Sequence, residues 1–372
     1  MSDSVSRSDG TLDLFLVVAP GLEAMLAEEA REHGFQVTGT TPGGVMLTGD
    51  WSQVWRANLV LRGATRVLVR VAAFRAMHLA QLDKRARKLS WSDWLRTDVP
   101  VRVEATCRKS RIYHAKAAAQ RVERALDAAG IPLKPKAKIA LKLRVEDDLA
   151  TISLDSSGTS LHKRGLKEQV NKAPMRETLA ALFLRAAGFT GDGPVYDPMC
   201  GSGTFVLEAA EIAAGLQPGR ARAFGFQNLA TYDQQGFNAL RHNIKPAGPV
   251  RFFGSDRDAG AVRMSIANAE RSGVEAVTAF NMAPIGEVAP PDGPPGLVIV
   301  NPPYGGRIGN KGVLHGLYGA FGKAMTERFR GWRVAMVTAD AGLAKSTGLH
   351  WDAPGPFVDH GGTKIRLWQT QL

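Results

Sequence analysis

Short apolar runs punctuated by Gly and Pro divide this chain into stretches of different rhythm. At the front, alternation predicts strands over 12–18, 35–40, 44–48 and 65–73 and helices over 20–33 and 51–61. Pro20 near a helix start and Gly34 just past its end are ordinary boundary residues, and Pro42-Gly43 turns a hairpin. The order βαββαβ is that of a ferredoxin-like α+β unit, which names no function by itself. Next come a predicted helix over 78–89, a strand over 99–106 and a helix over 115–129 stopped by Gly130. A hairpin of 138–145 and 150–154 then turns at Asp147-Asp148. A Gly- and Ser-rich junction over 156–169 leads to a helix over 173–187.

From Pro194 the rhythm becomes strand, then helix. Short apolar strands are predicted over 195–197, 251–254, 276–280, 297–300, 332–338 and 364–370. Between them lie helices over 204–214, 259–271 and 314–328, with an irregular stretch over 218–249 that holds a helical turn near 233–243. Alternation of this kind predicts a doubly wound α/β sheet with helices on both faces.

Charge changes the picture. The chain of 372 residues carries a net +12, yet residues 56–144 alone hold 22 Lys and Arg against six Asp and Glu. That excess of 16 leaves the remainder net acidic, and a cationic segment beside a net acidic remainder points to a polyanion such as RNA. Arg108, Lys109 and Arg111 lie in the loop before the helix over 115–129, and Lys163 and Arg164 in the junction. Each of them alone also fits a solvated surface. No apolar run approaches the roughly 18 residues of a membrane span, and residues 1–10 lack the apolar core of a secretory signal. Cys107 and Cys200 form no metal spacing and fit a reducing, cytoplasmic compartment, so no metal is expected.

Two motifs carry candidate chemistry. Asn301-Pro302-Pro303-Tyr304 follows the apolar strand over 297–300, and two prolines force a rigid turn there. The Asn301 amide oxygen and the Pro302 carbonyl are two acceptors suited to a flat –NH2 group, and Tyr304 offers a ring for a planar base. Read alone, the tetrapeptide also fits a plain turn with Tyr304 packing inward. Asp197-Pro198-Met199-Cys200-Gly201-Ser202-Gly203-Thr204 joins a strand to a helix and lets the backbone approach a ligand. No Lys follows the last Gly, so it is no phosphate loop, and the third Gly of a dinucleotide fingerprint is missing. At the next strand ends, Asp256 with Arg257 suits a ribose and Asn281 with Met282 an adenine edge. Asp256 or Asp258 also fits a helix cap, and Asn281 a turn. A ribose, an adenine and no phosphate pocket describe S-adenosylmethionine better than NAD or ATP.

These residues resemble the amino-group methyltransferases of the Rossmann-like class I type. The junction over 155–165, the run Ala173-Pro174-Met175-Arg176-Glu177-Thr178, Gly331-Trp332 and Lys364-Ile365-Arg366-Leu367 narrow the resemblance. It is to the THUMP-domain RNA guanine-N2-methyltransferases, which include the RlmL and TrmN types. The resemblance implies a ferredoxin-like unit over 1–55, a THUMP RNA-binding domain over 56–165, a linker helix over 166–190 and a methyltransferase domain over 191–372. It implies S-adenosyl-L-methionine as cofactor, held by Pro174, Thr178, Asp197, Met199, Gly201, Ser202, Gly203, Thr204, Asp256, Arg257, Asn281, Met282 and Asn301. Catalysis falls to Asn301, Pro302, Pro303 and Tyr304, and Arg307 joins the expected RNA contacts. The RNA is 23S rRNA by the first type and tRNA by the second. The same tetrapeptide serves adenine-N6 and glutamine-N5 methylation, and an RNA-binding assembly factor with an inert methyltransferase half is the non-enzymatic reading.

Overall fold

A computed structural model describes residues 10–167, 175–242, 244, 246–249, 251–305 and 311–372. The chain forms two compact units. One comprises residues up to Val18, Leu26–Leu161 and Arg222–His242, and the other Ala19–Met25, His162–Ala221 and Asn243–Leu372.

The first unit is built on a seven-stranded sheet. Its strands are β1 (Leu12–Val17), β2 (Gln36–Thr41), β3 (Gly44–Gly49), β4 (Arg66–Arg75), β5 (Val101–Arg108), β6 (Ile139–Glu146) and β7 (Leu149–Asp155). They lie in the order β2-β3-β1-β4-β7-β6-β5, so both front segments expected from the sequence share this one sheet. Helices α1 (Glu23–Glu32), α2 (Trp51–Val60), α3 (Leu79–Ala86) and α4 (Ala115–Ala128) connect them. The α4 helix buries Ala118, Val122, Ala125 and Leu126 at helical spacing, and the His114 Nδ1 caps it by accepting from Ala117 N–H at 3.3 Å. The β6–β7 turn needs a left-handed backbone at two residues, and Asp147 and Asp148 supply it with φ of 49° and 61°. At the far end of β7, Asn58, Ser156 and Ser157 satisfy one another in the interior: Asn58 Nδ2 donates to Ser156 Oγ at 2.9 Å and Ser157 Oγ to Asn58 Oδ1 at 2.6 Å.

The second unit holds α5 (Glu177–Ala186), β8 (Val195–Asp197), α6 (Thr204–Ala213), β9 (Phe252–Asp256), α8 (Ala259–Ser272), β10 (Thr278–Met282) and β11 (Leu297–Val300). After these come α9 (Lys311–Arg328), β12 (Arg333–Thr338), α10 (Ala341–Ser346), β13 (Val358–His360) and β14 (Thr363–Gln371). The sheet order is β10-β9-β8-β11-β12-β14-β13, parallel from β10 to β12 and closed by the antiparallel β14. Every residue of β8 and β11 is buried, as befits strands covered on both faces. This is the Rossmann-like doubly wound fold, preceded by a ferredoxin-like unit.

The helix α7 (Gln234–Ala239) stands apart from this alternation. It and its flanking segment lie within the first unit, where Phe226 and Tyr232 meet Trp55 and, with Phe237, one another at ring-centre distances of 5.1 to 6.3 Å. The polar spacing of 218–249 gives no period to read, because its order comes from this aromatic contact with a helix far away in sequence. Two further elements escape the pattern. Helix α10 has only six residues and a Gly within them, and is held by Asp340 accepting from Gly342 N–H and Leu343 N–H. Strand β13 is three residues long and takes its structure from pairing with β14.

Candidate active site

The chain reverses its direction of winding at β8, whose two neighbours in the sheet are β9 and β11. Ligand crevices of open α/β sheets open at the carboxyl ends of the strands flanking such a point. Val195 pairs with Leu297 and Tyr196 with Val298, so the glycine loop and the Asn-Pro-Pro-Tyr corner leave adjacent parallel strands at the same edge.

The loop is pinned from three sides. Gly201 and Gly203 take left-handed φ of 57° and 81°, and a Cβ on Gly203 would stand 3.1 Å from Ser265 Oγ. Cys200 N–H donates to the Ser255 carbonyl at 2.9 Å, Ser265 Oγ to the Gly201 carbonyl at 3.0 Å and Asn268 Nδ2 to the Ser202 carbonyl at 3.1 Å. Ser265 and Asn268 belong to α8 and carry no motif, so sequence reasoning passed over them. Their signal is two polar residues on the buried face of an amphipathic helix. Ser202 and Thr204 are buried in the loop, Thr178 is buried at the start of α5, and Met199 is partly buried against the apolar cluster around Tyr318.

Asp256 ends β9 and does two jobs. Its Oδ2 accepts from Gly201 N–H at 3.0 Å and its Oδ1 from Asp258 N–H at 3.0 Å, which leaves lone pairs on both oxygens for hydroxyl donors. The helix cap is Asp258, whose Oδ1 accepts from Gly260 N–H at 2.7 Å. Register places Asn281 beside Ser255 and Met282 beside Asp256, and both residues, with Arg257, are exposed at this edge.

Asp197 is 3% exposed, and its Oδ1 accepts from Met199 N–H at 3.1 Å. Burial pushes its pKa up to about 8; the Met199 N–H opposes that rise and the charge of Asp256 adds to it. The folded chain therefore keeps a proton that the unfolded chain loses near the ordinary value of 3.8. Fewer protons on the unfolded state mean that stability falls as pH rises from about 4 to about 8, by order 1 kcal/mol per pH unit. Asp197→Asn is expected to flatten this slope in thermal melts across that range, taken without methyl donor. Parallel curves for the two proteins would refute the buried neutral carboxyl.

The corner itself is held from behind. The Tyr318 hydroxyl, on the buried face of α9, bridges the Pro303 carbonyl at 3.3 Å and Thr338 Oγ1 at 3.2 Å. Sequence periodicity reads Tyr318 as core, and only its polar tip hints at this second role. Tyr304 is half-buried against the same cluster, and its hydroxyl lies 3.3 Å from His360 Nδ1 on β13. Asn301 differs from its neighbours. Its Oδ1 is buried, and among the described residues no donor reaches it. A buried acceptor left unpaired costs stability and calls for an explanation, and an incoming donor supplies one.

The expected RNA contacts divide. Arg108, Lys109 and Arg111 are exposed on the first unit, and Lys163 is exposed on the second. Arg164 is not a surface cation: it is 5% exposed, and its Nε donates to Glu208 Oε1 of α6 at 3.1 Å. A guanidinium buried against an interior carboxylate is not presented to a phosphate at the surface, so this expectation is corrected. Lys167 is a partly buried cation the sequence did not single out; its Nζ lies 2.6 Å from Thr204 Oγ1 and 3.5 Å from Glu177 Oε1. Pro174 and Arg307 lie outside the described residues.

Residues 164–352 match the family described as "RMKL-like, methyltransferase domain", and residues 13–68 match "RlmL ferredoxin-like domain". Over its full length the chain is 31% identical to "Putative RNA methyltransferase slr0064" of Synechocystis, with all of that protein covered. It is 34% identical, over 92% of its length, to "Ribosomal RNA large subunit methyltransferase K/L" of Syntrophotalea carbinolica, of which it spans only 51%. Among solved structures, "SMU.472, a putative methyltransferase complexed with SAH" superposes with a TM-score of 0.86 at 25% identity, over 97% of this chain and 98% of that one. The chain belongs to the RMKL-like methyltransferase family.

Proposed function

We propose that this protein transfers a methyl group from S-adenosylmethionine to the exocyclic N2 of a guanosine in RNA, most simply in large-subunit rRNA. The observation that carries the reading is the buried Asn301 Oδ1, reached by no donor among the described residues, just past the end of the strand that neighbours β8. The loop suits the donor: its left-handed glycines permit close backbone approach, Asp256 keeps acceptor capacity for a ribose, and no Lys follows the last Gly as a phosphate loop requires. When bound, the donor supplies an electrophilic sulfonium methyl.

A guanine N2 lone pair is delocalised into the ring and attacks poorly. Asn301 Oδ1 and the Pro302 carbonyl accept the two N2–H protons, localise that lone pair and aim it. This is catalysis by positioning and by preorganised dipoles. The two prolines and the Tyr318 hydroxyl keep the corner from relaxing. Tyr304 is the stacking face for the base once it leaves its helix. Asp197 braces the loop at the donor's methionine end, and no strong base is needed because the methylated cation gives its proton to water.

The cationic segment over 56–144 supports a polynucleotide substrate over a protein one. The chain spans about half the length of the K/L relatives, so their whole activity is not carried over. An adenine N6 amine would meet the same two acceptors. Incubation of undermodified ribosomal and transfer RNA with the protein and donor, then nucleoside digestion and mass analysis, is expected to yield N2-methylguanosine from large-subunit rRNA. N6-methyladenosine would move the reading to adenine, and product only in transfer RNA would change the substrate. An absence of methylated product, with no heat of donor binding in calorimetry, would favour the inert assembly factor.

A further inference from the structure

The first unit carries a side chain that nothing so far explains. Tyr113 is 83% exposed, far more than any other large apolar residue described. It sits in the loop between β5 and α4, with Arg108, Lys109 and Arg111 before it and His114 and Lys116 after it. A lone exposed aromatic needs no special reason, but one surrounded by cations on a segment of high positive charge does.

The loop is built rather than slack. Ile112, next to Tyr113, is 4% exposed and anchors the segment in the core. Arg111 N–H donates to Asp148 Oδ1 at 2.8 Å, Asp148 N–H to Ser110 Oγ at 3.0 Å, and Ser110 Oγ to the Arg108 carbonyl at 2.8 Å. Lys109 takes a left-handed φ of 46° to make this turn. His114 is fixed on the other side as the cap of α4. Both backbone flanks of Tyr113 are thus immobilised while its ring stands in water, which makes it a preorganised platform.

The surroundings match one ligand chemistry. Sheet register sets Arg108 beside Glu146, Glu146 beside Leu149 and Leu149 beside Arg75, so Arg108 on the edge strand β5 and Arg75 on β4 lie at the same end of the sheet. Of the acidic residues at this end, Glu146 is paired with Arg144, and Asp148 with its neighbour Asp147 forms the turn that holds Arg111 N–H. Phosphates account for the cations, but a duplex offers them without any free ring to stack. Single-stranded RNA offers both phosphates and exposed base faces. We propose that Tyr113 stacks an unpaired nucleobase of the substrate RNA while Lys109 and Arg111 hold the flanking phosphates. This rests on the RNA reading above and names the part of the RNA that the first unit grips.

The test uses the full-length protein, a short single-stranded oligoribonucleotide and a blunt RNA duplex, with affinities read by fluorescence anisotropy over a salt series. Tyr113→Ala is expected to weaken single-strand binding roughly tenfold, with the salt slope unchanged and the duplex affinity unaltered. Tyr113→Phe and Tyr113→Trp should restore it. Lys109→Ala and Arg111→Ala should instead lower the slope by about 0.7 each. Native affinity in Tyr113→Ala, an equal loss on duplex, or failure of Tyr113→Phe to rescue would each overturn the stacking role alone. No RNA binding by the unaltered protein would overturn the RNA reading and this proposal together.

Discussion

Asn301→Ala is expected to lower the rate constant for methyl transfer roughly 100- to 1,000-fold, the range seen when one preorganised transition-state partner is removed. Donor affinity should stay near that of the native chain, because the loop's own fastenings involve Cys200, Ser255, Asp256, Ser265 and Asn268 and not Asn301. Stability should stay level or rise, since Asn301 Oδ1 has no donor among the described residues and its removal breaks no described internal hydrogen bond. Single-turnover transfer, calorimetric titration of S-adenosylmethionine and a thermal melt on the same preparation separate these three effects. Native turnover by the variant would sink the proposed role. A fall in stability or donor affinity matching the loss of turnover would show a structural residue instead.

The parts of this site that were legible in the sequence are those where a residue type is forced by backbone geometry. Gly201 and Gly203 must be glycine because the chain is left-handed there, and Pro302-Pro303 must break the strand that precedes it. The alternation of apolar strands with helices announced the doubly wound sheet for a related reason, since strands buried on both faces are mostly apolar. What escaped reading depends on contacts between residues distant in sequence. Tyr318 meets Pro303 only because α9 packs under the corner, and Asn268 meets Ser202 only because α8 lies along the loop. Trp55 draws 222–242 into the first unit across more than a hundred residues, a contact that local spacing does not encode. Arg164 shows the opposite failure. A cation in a Lys-Arg-Gly run looks like surface, and only the position of Glu208 on α6 reveals that it is core.

That pair sets a second large effect. Arg164→Ala leaves the Glu208 carboxylate, itself 3% exposed, without its guanidinium inside the protein. Breaking a buried pair from one side costs about 3–5 kcal/mol. For a unit of this size the melting temperature should fall by order ten degrees. The double change Arg164→Met with Glu208→Leu removes both charges and keeps apolar volume, so it should recover most of that loss, whereas two independent surface residues would simply add. If Arg164 touched phosphate, the single variant would melt like the native chain and bind RNA with a shallower salt slope. The two roles therefore predict opposite pairs of results. Burial favours the structural role, because a guanidinium drawn out to reach a phosphate would give up a buried ion pair with Glu208, a cost larger than one exposed phosphate contact returns.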